Sequence, residues 1–171
     1  AAVVLRAYRA GVNYFDTAPG YCSDKSEDIM GAAIRQMKPG TFLVSTKTFA
    51  DNEKAFMADL ERSLKRLGVK QIDYYHIWCI TSMEGWRARK PVIATALRAR
   101  DQGMIRHLCV SSHLPGGALS QVLDEAPFEG VTLGYCALNF LFREEAVEAA
   151  GRKGLGVITM NPLGGGVIPA N

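Results

Sequence analysis

The amino-acid sequence predicts an α/β fold in which parallel strands alternate with helices. Short apolar runs rich in β-branched residues recur along the chain, and amphipathic segments of helical length separate them. Segments of this length do not suit antiparallel hairpins, whereas the helical crossovers between parallel strands require them. Strict alternation of this kind allows two architectures, an open doubly wound sheet or a closed (β/α) barrel.

The first half of the chain contains three predicted helices and three predicted strands. Ser26 is a candidate N-cap followed by acidic residues, and the Pro-Gly pair at 39–40 ends that helix. The run 41–46 has the pattern of a strand buried on both faces, and Gly68 ends a long amphipathic helix. In chain order we predict helix 3–9, strand 13–16, helix 26–37, strand 41–46, helix 51–67 and strand 72–80.

The second half repeats the same unit three times. Gly103 and Gly154 each follow a predicted helix, in the position where the left-handed backbone of a helix end favours glycine. The predicted elements are helix 86–102, strand 105–111, helix 118–125, strand 131–138, helix 144–153 and strand 156–160. We find no linker, so we expect a single domain over residues 1–171.

Composition and charge exclude several classes of function. The 171 residues are 48% hydrophobic, the formal net charge is +3, and no run of Lys and Arg is present, which predicts no nucleic-acid partner. No apolar stretch reaches the roughly 18 residues of a membrane span, and the N-terminus lacks the pattern of a signal peptide. The four cysteines form no CxxC pair, which predicts no metal site, reduced thiols and a cytoplasmic protein.

Polar side chains that could carry chemistry lie near the ends of two predicted strands. Asp16 ends the first strand, Tyr21 comes five residues later, and Lys47 follows the second strand. The carboxyl ends of barrel strands meet at one rim, so these side chains are expected together. A carbonyl that accepts hydride needs a proton donor, and an ammonium group beside a tyrosine lowers its pKa. The three residues are therefore candidates for a proton relay. In the alternative interpretation, Asp16 only forms a turn and Lys47 only faces solvent.

Periodicity does not decide between an open sheet and a barrel. No predicted strand-to-helix turn carries the GxGxxG pattern of an open dinucleotide-binding sheet. The glycines 164–166 could let the backbone approach a phosphate, or they could form a flexible turn.

Seven segments, in order along nearly the whole chain, resemble motifs of the aldo-keto reductase family. They are GVNYFDTAPGY (11–21), SEDIMG (26–31), VSTKT (44–48), DLERSLKRLGVKQIDYYHI (59–77), CVSSH (109–113), LNFLFR (138–143) and VITMNPLGGG (157–166). The resemblance implies a (β/α)8 TIM-type barrel of which about six parallel strands are present, the first and last being missing. It also implies that NADP(H) binds without a separate dinucleotide-binding domain.

The resemblance further implies an oxidoreductase that reduces an aldehyde or ketone with hydride from NADPH. Tyr21 would be the general acid, and Lys47 and Asp16 would tune it. The implied cofactor contacts are Ser111, Ser112, Asn139, Met160, Pro162, Leu163, Gly164 and Gly165. Two of these depart from the family pattern: Ser112 replaces an asparagine, and Met160 replaces a tyrosine that stacks on nicotinamide.

The third strand also departs from the family pattern. The family places a catalytic histidine five residues after an aspartate, and counting from Asp73 that position is Trp78. His76 lies two residues earlier on the same face, roughly 6–7 Å deeper in the barrel. We retain His76 as a catalytic candidate, with a role in lining the barrel interior as the alternative, and expect Trp78 to shape the substrate pocket.

Two other functions stay open at this point. A truncated or catalytically impaired barrel could serve as a cofactor-binding regulatory subunit or an inactive scaffold, and Lys47 could form a Schiff base in a lyase. A six-stranded arc would also expose two strand edges, which self-association or the missing segments would cover.

Overall fold

The computed structural model describes residues 1–169, in which six parallel strands form one sheet. The strands are β1 (Tyr14–Asp16), β2 (Leu43–Thr48), β3 (Ile72–Ile80), β4 (Ile105–Ser112), β5 (Gly130–Gly134) and β6 (Gly156–Met160). Each strand pairs with the next one in sequence, from β1 to β6. A doubly wound sheet reverses its strand order at a switch point, whereas a barrel wall does not. The predicted fold is therefore confirmed as a curled part of a (β/α)8 TIM-type barrel.

Helices connect the successive strands. They are α1 (Ala2–Arg9), α2 (Tyr21–Asp24), α3 (Ser26–Ile34), α4 (Glu53–Leu67), α5 (Met83–Arg89), α6 (Ile93–Asp101), α7 (Gly116–Glu125) and α8 (Glu144–Arg152). Short 3₁₀ turns lie at Lys90–Val92, Phe140–Phe142 and Gly164–Gly166. Over residues 1–169, no helix combines the length and the apolar character that a bilayer crossing requires.

The longest helix, α4, has the end signals that the sequence indicates. The Asn52 side chain accepts a hydrogen bond from the Ala55 N–H at 3.0 Å, which satisfies one of the free donors of the first turn. Gly68 ends the helix with a φ of 71°, a backbone conformation that glycine adopts without a steric penalty. The apolar face of α4, which includes Phe56 and Leu60, is fully buried against the sheet.

Alternation along the strands separates an apolar outer face from a polar inner face. Val44, Tyr75 and Leu108 belong to the core between the sheet and the helices. Strand pairing places Asp16 beside Ser45 and Lys47 beside His76, on the opposite face. Because parallel strands in register present the same face at paired positions, the polar residues of three strands converge inside the barrel wall.

Three predicted elements differ from the structure, each for a local reason. The predicted helix 86–102 is divided into α5 and α6 by a 3₁₀ turn that contains Pro91, since proline lacks the N–H that a continuous helix needs. The strand predicted over 131–138 ends at Gly134, where pairing with β6 stops. Lys47 lies within β2 and not after it, because pairing with β3 extends to Thr48.

Candidate active site

Lys47 and Asp16 form a charged pair at the rim of the barrel wall. Lys47 Nζ donates to Asp16 Oδ2 at 2.5 Å and to the carbonyl oxygen of Thr17 at 2.8 Å. Burial lowers the pKa of Lys47 below its ordinary value, and the Asp16 carboxylate offsets part of that shift. The structure thus brings together two of the three predicted relay residues, and both acceptors favour the ammonium form.

Tyr21 reaches the same rim on a tightly turned segment. Gly20 has a φ of 84°, and residues 22–24 also have positive φ values, which non-glycine residues adopt only at a cost. Asp24 holds the segment closed, because its carboxylate accepts from the Gly20 N–H at 3.3 Å and from the Arg66 guanidinium at 2.7 Å. Arg66 lies on α4, so the position of Tyr21 depends on a helix outside the sheet.

The Tyr21 ring lies beside the charged pair, but its hydroxyl does not contact the pair. Lys47 Nζ is 5.7 Å from the ring centroid, and among residues 1–169 no group is hydrogen-bonded to the Tyr21 hydroxyl. Burial, followed by the charges of Asp16 and Cys79, raises the pKa of Tyr21. The lowering that we expected from Lys47 is absent here, and the ammonium group is not hydrogen-bonded to the phenol oxygen.

His76 lies inside the barrel wall, at the depth that strand spacing indicates. The ring is buried, with Nδ1 at 3.3 Å from Ser45 Oγ and Nε2 at 3.0 Å from Thr132 Oγ1. Burial and the nearby Lys47 charge lower the pKa of His76 to about 4, so the imidazole is neutral near pH 7. Within the described chain no hydrogen bond joins His76 to Tyr21, and this position suits an interior role better than direct proton transfer.

An aromatic cavity opens next to Tyr21. Trp78 stacks on Phe49 with a centroid distance of 4.1 Å and meets the Tyr21 ring edge-on at 5.4 Å. The Arg89 guanidinium lies over Phe49 and donates to the Trp78 carbonyl oxygen at 2.6 Å. The cavity, of about 400 Å³, is lined by Pro19, Gly20, Tyr21, Phe49, Asp59, Arg62 and Trp78. Trp78 therefore lines this cavity, and its role in a substrate pocket stays a prediction.

Two adjacent serines predicted to contact the cofactor have different environments. Ser111 faces the barrel interior, and its hydroxyl has no hydrogen-bond partner among residues 1–169. The Ser112 hydroxyl donates to the Ile80 carbonyl oxygen at 3.0 Å and accepts from the Leu114 N–H at 3.0 Å. Successive strand residues point to opposite faces, so Ser112 is directed into the wall. The Ser112 hydroxyl is therefore already bonded to backbone groups of the wall, whereas that of Ser111 is not, and a contact of either serine with the cofactor stays a prediction.

Asn139 lies in the loop after β5, and Met160 is the last residue of β6. The Asn139 side-chain oxygen accepts from the Cys136 N–H at 2.9 Å, and this contact leaves the amide nitrogen without a partner in the described part of the chain. Met160 ends β6 and pairs in register with Gly134. Both residues therefore lie at the carboxyl side of the sheet, near Ser111.

The Pro-Leu-Gly segment forms a turn beyond β6. Pro162 and Leu163 are exposed, and Gly164 and Gly165 have φ values of 61° and 67°. A Cβ atom at Gly164 would lie 2.7 Å from Leu138 Cδ1, so glycine permits the loops after β5 and β6 to touch. The loops that carry the predicted cofactor residues are thus packed together at one end of the sheet.

Sequence reasoning missed three residues that build the site. Ser45 is two positions before Lys47 on the same strand, and this spacing is a signal that could have identified it. Phe49 directly follows the strand that carries Lys47, where a pocket residue is expected in a barrel. Arg89 comes from a helix, and nothing in the sequence indicates that it braces the Trp78 backbone.

Comparison with known proteins identifies similar chains of about twice the length. The sequence model described as the aldo/keto reductase family matches residues 1–171. The L-galactose dehydrogenase of Arabidopsis thaliana is 27% identical over 179 residues, which cover 98% of this chain and 56% of that protein. The NADH-specific methylglyoxal reductase of Escherichia coli K12 is 23% identical over 192 residues, with 96% and 56% coverage. This chain therefore spans little more than half the length of these relatives.

A solved structure agrees with the fold. An aldo-keto reductase from Bacillus halodurans, described as a holo form, aligns with a TM-score of 0.81 at 18% identity and covers 96% of this chain and 57% of its own. At that identity the likeness shows a shared barrel fold and nothing more specific. The match of the family model, in contrast, extends over the whole sequence. On that evidence, this chain belongs to the aldo/keto reductase family.

Proposed function

We propose that this chain supplies the catalytic part of an NADP-dependent oxidoreductase that reduces a small aldehyde or ketone. The observation that carries the proposal is the buried Lys47–Asp16 pair, 2.5 Å apart, beside the ring of Tyr21 and its aromatic cavity. The names of the two curated relatives, a dehydrogenase and a reductase, support oxidation or reduction at a carbon–oxygen bond.

Free polar groups near the carboxyl ends of β4 and β5 fit a nicotinamide carboxamide. The Ser111 hydroxyl and the Asn139 amide nitrogen have no partner within residues 1–169, and a carboxamide offers both a donor and an acceptor. The turn at Pro162, Leu163 and Gly164 would hold the remainder of the dinucleotide through its backbone. When bound, the cofactor supplies the hydride.

In this proposal Tyr21 donates a proton to the carbonyl oxygen as negative charge develops there. The Lys47 ammonium group stabilises the resulting phenolate, and Asp16 keeps Lys47 charged inside a buried site. For this transfer the carbonyl oxygen must lie within hydrogen-bonding distance of the Tyr21 phenol oxygen. Trp78 and Phe49 exclude water from one side of the carbonyl group.

Replacing Tyr21 with Phe tests the assignment of the acid. We expect turnover of several carbonyl substrates to fall by roughly 10²–10⁴-fold, the usual contribution of a general acid, while NADPH affinity stays within a factor of two. Steady-state kinetics and NADPH fluorescence titration measure the two quantities. Tyr8→Phe is the matched control, since it removes a tyrosine hydroxyl on α1 away from the rim. A Tyr21→Phe variant with most of its rate would show that another group donates the proton.

A second candidate is a barrel that binds the cofactor without turnover. Two observations favour it: Trp78 occupies the place of the family histidine, and the Tyr21 hydroxyl has no contact with Lys47 among the described residues. Titration of the 171-residue chain with NADPH and NADH, followed by turnover assays, separates the candidates. Saturable binding without turnover supports this second function, whereas no binding to either nucleotide supports an inactive scaffold.

A Schiff-base lyase fits the structure less well than a reductase. Lys47 is 2% exposed, and its nitrogen is held by a carboxylate and a carbonyl oxygen, both of which favour the charged and non-nucleophilic form. Borohydride trapping of a carbonyl substrate on Lys47 would reverse this conclusion.

We also infer that the protein works in the cytoplasm. Cys22, Cys79, Cys109 and Cys136 are all free thiols. Unpaired cysteines are typical of a reducing compartment.

A further inference from the structure

We propose that Ser45 and His76 are positioning residues that hold Asp16 in the orientation required by Lys47. The inference rests on the proposed function, because Asp16 matters here as the partner of the relay lysine. It concerns buried groups that the proton transfer itself does not use. Ser45 and His76 are both almost completely buried, and they connect Asp16 to the interior of the barrel wall.

The two oxygens of Asp16 have separate partners. Ser45 Oγ donates to Oδ1 at 2.6 Å, and Lys47 Nζ donates to Oδ2 at 2.5 Å. The Asp16 side chain is 36% exposed, so without these bonds solvent could draw the carboxylate away from the wall. The bond to Ser45 therefore fixes the rotation of the carboxyl group and leaves Oδ2 directed at Lys47.

The direction of each hydrogen bond follows from chemistry. A carboxylate only accepts, so the single proton of Ser45 Oγ is committed to Asp16. Ser45 Oγ must then accept from His76 Nδ1, which lies 3.3 Å away. A neutral imidazole with a proton on Nδ1 has an acceptor at Nε2, and Thr132 Oγ1 lies 3.0 Å from that atom. Thr132 thus donates to His76, His76 donates to Ser45, and Ser45 donates to the Asp16 carboxylate. Consecutive hydrogen bonds that run in one direction polarise and strengthen one another.

The charged and titratable groups around this chain are few. Lys47 from β2, Tyr14 from β1 and Tyr21 from α2 face Asp16. Tyr14 also faces Ser45, Lys47 faces His76, and Cys109 from β4 pairs in register with His76. Only Lys47 among them carries a positive charge near pH 7. A change in the orientation of Asp16 must therefore alter the charge balance at Lys47, which makes the lysine a direct reporter of the proposed role.

The experiment compares Ser45→Ala with Ser63→Ala. Ser63 lies on α4, is as buried as Ser45, and its hydroxyl has no hydrogen-bond partner in the described chain. Ser63→Ala therefore removes one buried hydroxyl without breaking a hydrogen bond. The Lys47 pKa is measured by titration of ¹³C-labelled lysine ε-carbons in NMR spectra, with Lys47→Arg used to assign the signal. We expect Ser45→Ala to lower the Lys47 pKa by roughly one unit because the opposite charge is no longer held in place. Ser63→Ala should leave it unchanged.

Activity supplies an independent readout that a purely structural role would not change. In Ser45→Ala the high-pH limb of kcat should shift toward lower pH by the same amount as the Lys47 pKa, with KM unchanged. Ser45→Thr keeps the hydroxyl and should retain the Lys47 pKa of the parent chain. If Ser45→Ala leaves the Lys47 pKa unchanged or raises it, the carboxylate does not depend on Ser45 and the inference is wrong.

A second pair of variants examines His76. His76→Asn keeps a side-chain N–H donor near the position of Nδ1, whereas His76→Leu removes it. We expect His76→Leu to lower the Lys47 pKa, and we expect the Lys47 pKa in His76→Asn to stay close to that of the parent chain. Equal Lys47 pKa values in the two variants would exclude a role for the Nδ1 donor. Because the titration needs no turnover, an inactive chain would refute the proposed function and leave the positioning result intact.

Discussion

Ser111 and Ser112 illustrate how a single step along a strand decides the role of a side chain. Both residues are buried at the end of β4, but only Ser111 faces the interior. Ser112 satisfies two backbone groups, the Ile80 carbonyl and the Leu114 N–H. A hydroxyl that bridges buried backbone groups contributes to stability and is not free for a ligand.

We therefore expect Ser111→Ala to weaken NADPH binding about fivefold and Ser112→Ala to leave it within a factor of two. One hydrogen bond to a ligand is worth roughly 1 kcal/mol, and one left unmade inside the wall costs a similar amount of unfolding free energy. Fluorescence titration gives the affinities, and urea unfolding gives the stabilities. Weaker NADPH binding in Ser112→Ala, with Ser111→Ala unaffected, would reverse the assignment of the two faces.

His76 makes the stability of the chain depend on pH. Its pKa of about 4 in the folded protein lies below the unfolded value of about 6.5. Between these pH values the unfolded chain binds more protons, so the contribution to stability is complete above pH 6.5 and is lost as the pH falls toward 4. The loss amounts to roughly 3 kcal/mol at most.

Urea unfolding of the parent chain and of His76→Asn across pH 4 to 7 measures this effect. We expect the free energy of unfolding to fall with pH more steeply in the parent chain, because asparagine does not titrate. The two slopes are compared directly, which cancels the contributions of other groups. Parallel slopes would mean that His76 is not buried in its neutral form.

At the scale of elements, the helices that position Tyr21 depend on one close contact. Gly31 on α3 faces the backbone of α4, and a Cβ atom at this position would overlap the carbonyl oxygen of Arg66. The same Arg66 binds Asp24 through its side chain. Close packing of α3 on α4 therefore sets the position of the segment that carries Tyr21.

Gly31→Ala should lower the free energy of unfolding by about 2 kcal/mol, because the two helices must separate to admit the methyl group. Gly151→Ala is the matched control: Gly151 lies in α8 with open space where a Cβ atom would be added, so alanine there should stabilise the helix by up to roughly 1 kcal/mol. Thermal and urea unfolding measure both variants. A harmless Gly31→Ala would indicate that the α3–α4 contact is loose.

Most elements were predictable from the sequence, and two exceptions have different causes. Local signals, such as Gly68 at the end of α4 and the apolar run of β3, have their expected effects. The 3₁₀ turn at Pro91 follows from the missing N–H of proline, whereas the early end of β5 at Gly134 depends on its pairing with β6. Helix and strand periodicity contains no information on where such contacts stop.

At the scale of the whole molecule, the described strands leave two edges unpaired. β1 and β6 each pair with one neighbour, and no other strand within residues 1–169 adjoins them. The interior face near β6 is open, since Ile158 is 38% exposed, and Leu141 and Phe142 are exposed beyond β5. An inner cavity of about 270 Å³ is lined in part by Tyr14, His76 and Ile158.

We expect the 171-residue chain by itself to associate in a concentration-dependent manner, because open edges and exposed apolar surface favour pairing between copies. Ile158→Lys places a charge on the inner face of β6 and should reduce the apparent association constant at least tenfold. Val3→Lys is the control, since Val3 is 83% exposed on the helix α1 and belongs to neither edge strand. Sedimentation velocity measures the mass distribution, and a monomer at every concentration would contradict the expectation.

The resemblance of the motifs to the aldo-keto reductase family indicated the barrel class. The sequence by itself determined the alternation of strands and helices and the positions of Asp16, Tyr21 and Lys47 near strand ends. Those features follow from local periodicity, helix-end residues and motif spacing. Only the tertiary structure decided that Ser45 connects His76 to Asp16, that the Ser112 hydroxyl binds backbone groups of the wall, and that Lys47 lies beside the Tyr21 ring. These features depend on strand register and backbone conformation, which arise from contacts between residues far apart in the chain.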